Sequence, residues 1–166
     1  DNVAVRQVAC GQQFLAILTD QGEVFMCGDN TFGQLGHSDT SFQPSPRQTN
    51  GLNGKAVVQV ACGQNHVAAL TAAGDMYTWG RGMEGQLGHG RPKSEMSARF
   101  VRALMKDVVS YIACGWNHTA AVLASTGRVM TWGEGCLGQL GYGLRVTAQM
   151  SPKAVVIQEA SQNVTM

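Results

Sequence analysis

The sequence predicts an all-β protein: three four-stranded antiparallel units set side by side as the blades of a partial β-propeller. Two observations carry that expectation. Ala61–His66 (Ala-Cys-Gly-Gln-Asn-His) returns 52 positions later as Ala113–His118, and its counterpart 52 positions earlier is Ala9–Phe14. A Gly-Gln-Leu-Gly block then closes each copy, at Gly33–Gly36, Gly85–Gly88 and Gly138–Gly141. The last spacing lengthens to 53 because the turn Ala124–Gly127 carries one extra residue relative to the turn ending in Gly74. A structural repeat tolerates such an insertion in a turn. The expected units are approximately 1–52, 53–104 and 105–157, with 158–166 opening an incomplete fourth copy.

The middle copy justifies each element in order. Val57–Cys62 is β-branched and apolar and is stopped by Gly63, so it reads as a first strand. His66–Thr71 and Asp75–Trp79 flank Ala72-Ala73-Gly74, a hairpin with Gly where the backbone needs positive φ. A long Gly-rich loop follows, and Arg99–Leu104 is expected as the fourth strand. No helical period outlasts a turn, and four short strands at a period near 50 describe a propeller blade.

Composition narrows the function classes. Hydrophobic residues make up 44% of the 166 and charged residues only 14%, as in a globular protein, while 21 glycines imply many tight turns rather than disorder. The formal charge of +1 gives no long-range field for nucleic acid or anionic lipid, so direct nucleic-acid binding is not expected. No apolar run approaches a membrane span. Five cysteines, three of them at one repeat position (Cys10, Cys62, Cys114), predict a reducing compartment, cytoplasmic or nuclear, with Cys acting as a small buried hydrophobe.

The units lack the Gly-Gly doublet of kelch repeats and the Trp-Asp pair of WD repeats. They resemble instead the repeat of the regulator of chromosome condensation family, V-x-x-V-x-C-G-x-x-H-x-x-A-L-x-x-x-G-x-V-x-x-W-G-x-x-x-x-G-Q-L-G-x-G. The middle copy carries Val60, Cys62, Gly63, His66, Ala69, Leu70, Gly74, Trp79, Gly80, Gly85, Gln86, Leu87, Gly88 and Gly90. The third matches through Cys114, Gly115, His118, Trp132, Gly133 and the block ending at Gly143. The first departs at Phe14 for His, Cys27 for Trp and Ser38 for the last Gly. The resemblance implies a closed ring of seven blades in a longer protein, so an arc of three would leave faces and edges open and is expected to self-associate.

Several chemical-looking motifs have plainer readings. Gly80–Gly85 and Gly133–Gly138 fit GxGxxG, yet Gln-Leu-Gly follows where a nucleotide-binding helix would have to start. Cys62 with His66, and Cys114 with His118, could suggest zinc, but ligands in successive blades diverge, and the ring is expected to fix a neighbouring turn by a hydrogen bond. No catalytic residue, metal or cofactor is expected. Trp79 and Trp132, at the repeat-wide position, belong in the core.

A functional residue in a repeat protein breaks the period. Trp116, Phe32, Arg81, Met83, Glu84 and Glu134 do so in loops, and large aromatic, Met and Arg side chains on a rigid frame suit protein recognition. The expected function is a non-enzymatic protein-interaction module, as the resemblance implies for members built into larger proteins such as giant ubiquitin ligases. The alternative is guanine-nucleotide exchange on a small GTPase with chromatin association, the activity of the family's founding member; no loop here is long enough for the exchange wedge.

Overall fold

The computed structural model describes residues 3–143 and 146–157. The expected opening of a fourth copy, 158–166, lies outside them, as does Arg145 of the last loop. Twelve strands form three sheets. The first contains β1 (Val5–Cys10), β2 (Phe14–Thr19), β3 (Val24–Gly28) and β4 (Gln43–Gln48); the second β5 (Val57–Cys62), β6 (His66–Thr71), β7 (Met76–Gly80) and β8 (Glu95–Phe100); the third β9 (Val109–Cys114), β10 (His118–Leu123), β11 (Val129–Glu134) and β12 (Ala148–Ala154). Within each, every strand pairs antiparallel with its sequence neighbours. The first strands of successive sheets pack against one another, β1 on β5 and β5 on β9, so the sheets fan like propeller blades.

Local chemistry sets the hairpins. The Thr19 and Thr71 hydroxyls accept the N–H groups of Glu23 and Asp75, 3.1 Å away in both copies, and Gly22 and Gly74 supply φ of +78° and +83°. The position after the Gly-Gln-Leu-Gly block also needs positive φ, met by Gly90 at +78° and Gly143 at +70°. Ser38, the departure in the first copy, takes the same backbone at +65°.

Two apolar cores fill the gaps between sheets. The first gathers Phe14, Leu18, Met26, Leu35, Val60, Val67 and Trp79; the second Leu70, Met76, Leu104, Ile112, Leu123 and Trp132. Trp79 and Trp132 are fully buried.

Two expectations need correction. The fourth strand of the middle unit ends at Phe100, and Arg102–Leu104 form a 3-10 turn. Its three-residue period turns both Val101 and Leu104 into the second core, which a strand could not do. Cys10 is exposed rather than buried, and Cys62 and Cys114 are half-buried. The two latter thiols tuck against the preceding sheet, at the Ala9 and Ala61 carbonyls, whereas no sheet precedes Cys10 among the described residues.

Candidate functional site

Each β1–β2-type turn is tied to the following β3–β4-type loop by one main-chain bond: Asp29 N–H to Gln13 O at 2.9 Å, Arg81 N–H to Asn65 O at 2.8 Å and Glu134 N–H to Asn117 O at 2.9 Å. Both sets of loops therefore project at one end of the blades, where all six candidate residues lie. The Cys-Gly turn is shaped by the ring three residues on. A Cβ on Gly11, Gly63 or Gly115 would collide with the ring of Phe14, His66 or His118.

The turns are also joined to one another. Gln12 N–H donates to Gln64 O at 3.1 Å, Gln64 N–H to Trp116 O at 2.9 Å, and the Gln64 carboxamide to that of Gln12 at 3.0 Å. The three Cys-Gly turns with Gln12, Gln64 and Trp116 line a concavity of about 340 Å³. Trp116 stands at its margin, 62% exposed, in contrast with the two buried tryptophans. Burial raises the Cys62 thiol far above its usual range, the thiols of Cys114 and Cys10 adding to the effect, and pushes Cys114 up to about 12. Neither is a thiolate nucleophile near neutral pH.

The other candidates divide. Arg81 pairs with Glu84 at 2.7 Å and lays its guanidinium 5.5 Å from the centre of the Phe32 ring, so these three clasp the first blade's loop to the second's. Glu134 accepts the Asn117 amide at 3.2 Å and the Cys136 thiol at 3.3 Å. Met83 projects freely at 53% exposure. Leu137 and Phe42 are more exposed still, apolar loop residues whose only sequence signal is that character.

His66 ties its own blade to the next. Thr119 donates its hydroxyl to Gln86 O at 2.7 Å, so its oxygen accepts the His66 Nε2–H at 2.9 Å. This sets a neutral tautomer whose Nδ1 is buried without a partner, and burial, aided by His118, holds the ring's pKa down at about 3. At the preceding blade boundary Phe14 and Val67 occupy the same two positions and both join the apolar core. Among the described residues no three His, Cys, Asp or Glu side chains gather as a metal site. Gly82 to Gly88 run through successive turns, Gly85 N–H to Gly82 O and Gly88 N–H to Gly85 O, with no helix after the GxGxxG pattern.

Links invisible to motif reading complete the blade boundaries. Gln7 clasps Val60 by donating to its carbonyl at 2.8 Å and accepting its N–H at 3.0 Å; Gln59 clasps Ile112 in the same way at 2.8 and 3.1 Å. Their signal was a glutamine recurring inside an apolar strand.

Stacked four-stranded sheets joined by a repeating set of bonds, with variable loops at one end, define a partial β-propeller. Models of the regulator of chromosome condensation (RCC1) repeat match residues 21–70 and 73–122, and, in a second form, 5–34, 57–86 and 109–139. The chain belongs to the RCC1 repeat family. It is 42% identical over 137 residues to probable E3 ubiquitin-protein ligase HERC4 of Rattus norvegicus and of Homo sapiens, covering 82% of this chain and 13% of each relative. To human E3 ubiquitin-protein ligase HERC2 it is 39% identical over 143 residues, which is 3% of that protein. The chain thus spans a small part of these relatives. Among solved structures, human WBSCR16 superposes with a TM-score of 0.84 at 32% identity, over 93% of this chain and 38% of that one. Saccharomyces cerevisiae Prp20p, described with its binding to Gsp1p and histones, gives 0.81 at 23% identity over 92% and 38%, a likeness of fold.

Proposed function

We propose that this chain is a non-enzymatic recognition module of a larger protein, binding another protein through the loop end of its blades. The observation that carries the reading is Trp116. Its indole is 62% exposed beside the axial concavity, whereas the other two tryptophans are sealed between blades. An open indole on a rigid frame is a typical binding anchor. Met83 and Phe32 extend the apolar contact, and Glu134, Arg81 and Glu84 form its polar rim.

The relatives named as ubiquitin ligases support a parent of that kind, in which the ligase chemistry belongs to the rest of the protein. The free cysteines favour an intracellular setting. Exposed Val5, Val8, Tyr111, Val156 and Ile157 favour self-association of the isolated chain. Exchange on a small GTPase is the competing reading, suggested by the fold shared with Prp20p.

The test is quantitative capture of lysate proteins by wild type and by Trp116→Ala with Met83→Ala, the melting temperatures being equal. Loss of a defined set of partners in the variant supports the reading, and an unchanged set removes it. Accelerated nucleotide release from a small GTPase would put exchange in its place.

A further inference from the structure

The connector from β4 to β5 contains two Asn-Gly steps, Asn50-Gly51 and Asn53-Gly54. Such a step is chemically labile, because glycine puts no side chain in the way of its own nitrogen, which can reach the preceding carboxamide. Both asparagines are exposed, so burial does not separate them. The bonds that hold them do.

Asn50 is fixed on three sides. Its N–H donates to Gly36 O at 2.9 Å, its carbonyl accepts the Ala98 N–H of the next blade at 3.1 Å, and its carboxamide donates to Ser38 Oγ at 3.1 Å. Gly51 runs hard against that blade, where a Cβ would stand 2.5 Å from Ala98 O. Asn53 lies instead in a turn that the Lys55 N–H closes on Leu52 O at 2.9 Å. Neither its carboxamide nor the Gly54 N–H has a hydrogen-bond partner among the described residues, and a Cβ on Gly54 would meet nothing within 4 Å. The same step of the β8–β9 connector, Met105 and Lys106, is exposed as well although a further blade precedes it. The openness therefore belongs to the connector itself.

We propose that Asn53 is a site of spontaneous deamidation, passing through a succinimide to aspartate and isoaspartate, while Asn50 is spared. The Gly54 nitrogen attacks Asn53 Cγ; the new N–C bond forms as the Cγ–Nδ2 bond breaks, and the displaced amide leaves as ammonia with the proton that Gly54 gives up. Water then opens either carbonyl of the ring. Opening at Cγ restores the original main chain with an aspartate side chain, and opening at the main-chain carbonyl leaves isoaspartate, with the chain running through Cγ. No enzyme or oxidant takes part. Either product sets a carboxylate two residues before Lys55, whose ammonium lies 5.9 Å from the centre of the Tyr77 ring. Isoaspartate also lengthens the main chain between Leu52, buried in the first core, and the start of β5. The joint between the first two blades is where chemical ageing acts.

The experiment incubates the folded chain at physiological pH and body temperature, and in parallel a synthetic Gln48–Lys55 peptide. Products are located by fragment-ion mass spectrometry of that peptide and by labelling with protein isoaspartyl methyltransferase. In the free peptide the two asparagines should react at comparable rates. In the folded chain Asn53 should react at least about tenfold faster than Asn50, which must first break its three bonds. Asn53→Gln, whose longer side chain would have to close a larger ring, should abolish the methyl label. Equal rates at the two asparagines of the folded chain, faster reaction at Asn50, or a folded Asn53 that stays intact while the peptide reacts would each overturn the proposal. A full methyl label on Asn53→Gln, or no reaction in either substrate, would overturn it equally.

Discussion

Trp132 donates its indole N–H to the main-chain carbonyl of Gln86 across 2.9 Å, from the third blade to the second. Trp79 repeats the bond one blade earlier, to Gln34 at the same distance. Gly88 and Gly36 make room for it: a Cβ on either would stand 2.8 or 2.9 Å from the indole nitrogen.

Trp79→Ala and Trp132→Ala should each cost about 3 to 5 kcal/mol, since each removes a large buried ring and its bond to a buried carbonyl. Trp116→Ala should change stability by no more than about 0.5 kcal/mol. Urea unfolding followed by far-ultraviolet circular dichroism checks the contrast, and equal losses at Trp116 and Trp79 would defeat it.

The His66–Thr119 pair should be exchangeable as a unit. Thr119→Val alone leaves a buried Nε2–H unpaired and should cost about 1 to 3 kcal/mol. Adding His66→Phe rebuilds the Phe14–Val67 arrangement of the preceding boundary, where the Gln34 carbonyl already manages with its indole donor alone. A double-mutant cycle should show the second substitution recovering most of the loss.

Stability should fall in acid. An unfolded His66 takes up a proton below pH 6.5, whereas in the folded protein its pKa is about 3. Its contribution is therefore complete above pH 6.5 and is lost as the pH drops towards 3, amounting to about 2 kcal/mol by pH 5. Burial, reinforced by Arg99, lowers His89 to about 4, which adds to the slope in the same direction. Denaturation midpoints measured from pH 7 to pH 4.5 should slope less in the His66→Phe, Thr119→Val protein.

Gln59→Leu should be costlier than its chemistry suggests, about 1 to 3 kcal/mol, because it strips partners from both the N–H and the carbonyl of buried Ile112. Hydrogen exchange at the Ile112 amide should quicken with it. An unchanged rate would mean the clasp is incidental.

How much of this could be read in advance depended on the distance between partners. A repeat of turn glycines and apolar strands betrays hairpins, since those are local. Trp79 was legible as core because it recurs. Cys10 was not legible as exposed, because its repeat position is covered by a sheet before it, and the sequence pattern is the same with or without that sheet. In the site, Arg81 and Glu84 stood out only as loop residues that break the period; their ion pair was not read in advance, and the Phe32 ring beneath the guanidinium lies 49 positions away in another blade. Val67 and Thr119 drew no notice, as each earns its meaning only from the ring it meets across a boundary.

Three of the cross-blade links, the His66–Thr119 pair, the indole bonds and the glutamine clasps, are each made of unlike halves held by successive units, and this gives the repeats a fixed reading order. The third unit offers His118, but the first has Leu15 where Thr119 would be needed; it offers the Gln139 carbonyl, but the first has Cys27 in place of the indole; and Tyr111 stands where a clasping glutamine would reach onward. A chain with its repeats shuffled so that the third preceded the first would keep every strand and turn yet make none of these bonds at the junction between those two units. The units look interchangeable as backbones, but as side chains each is addressed to its neighbour.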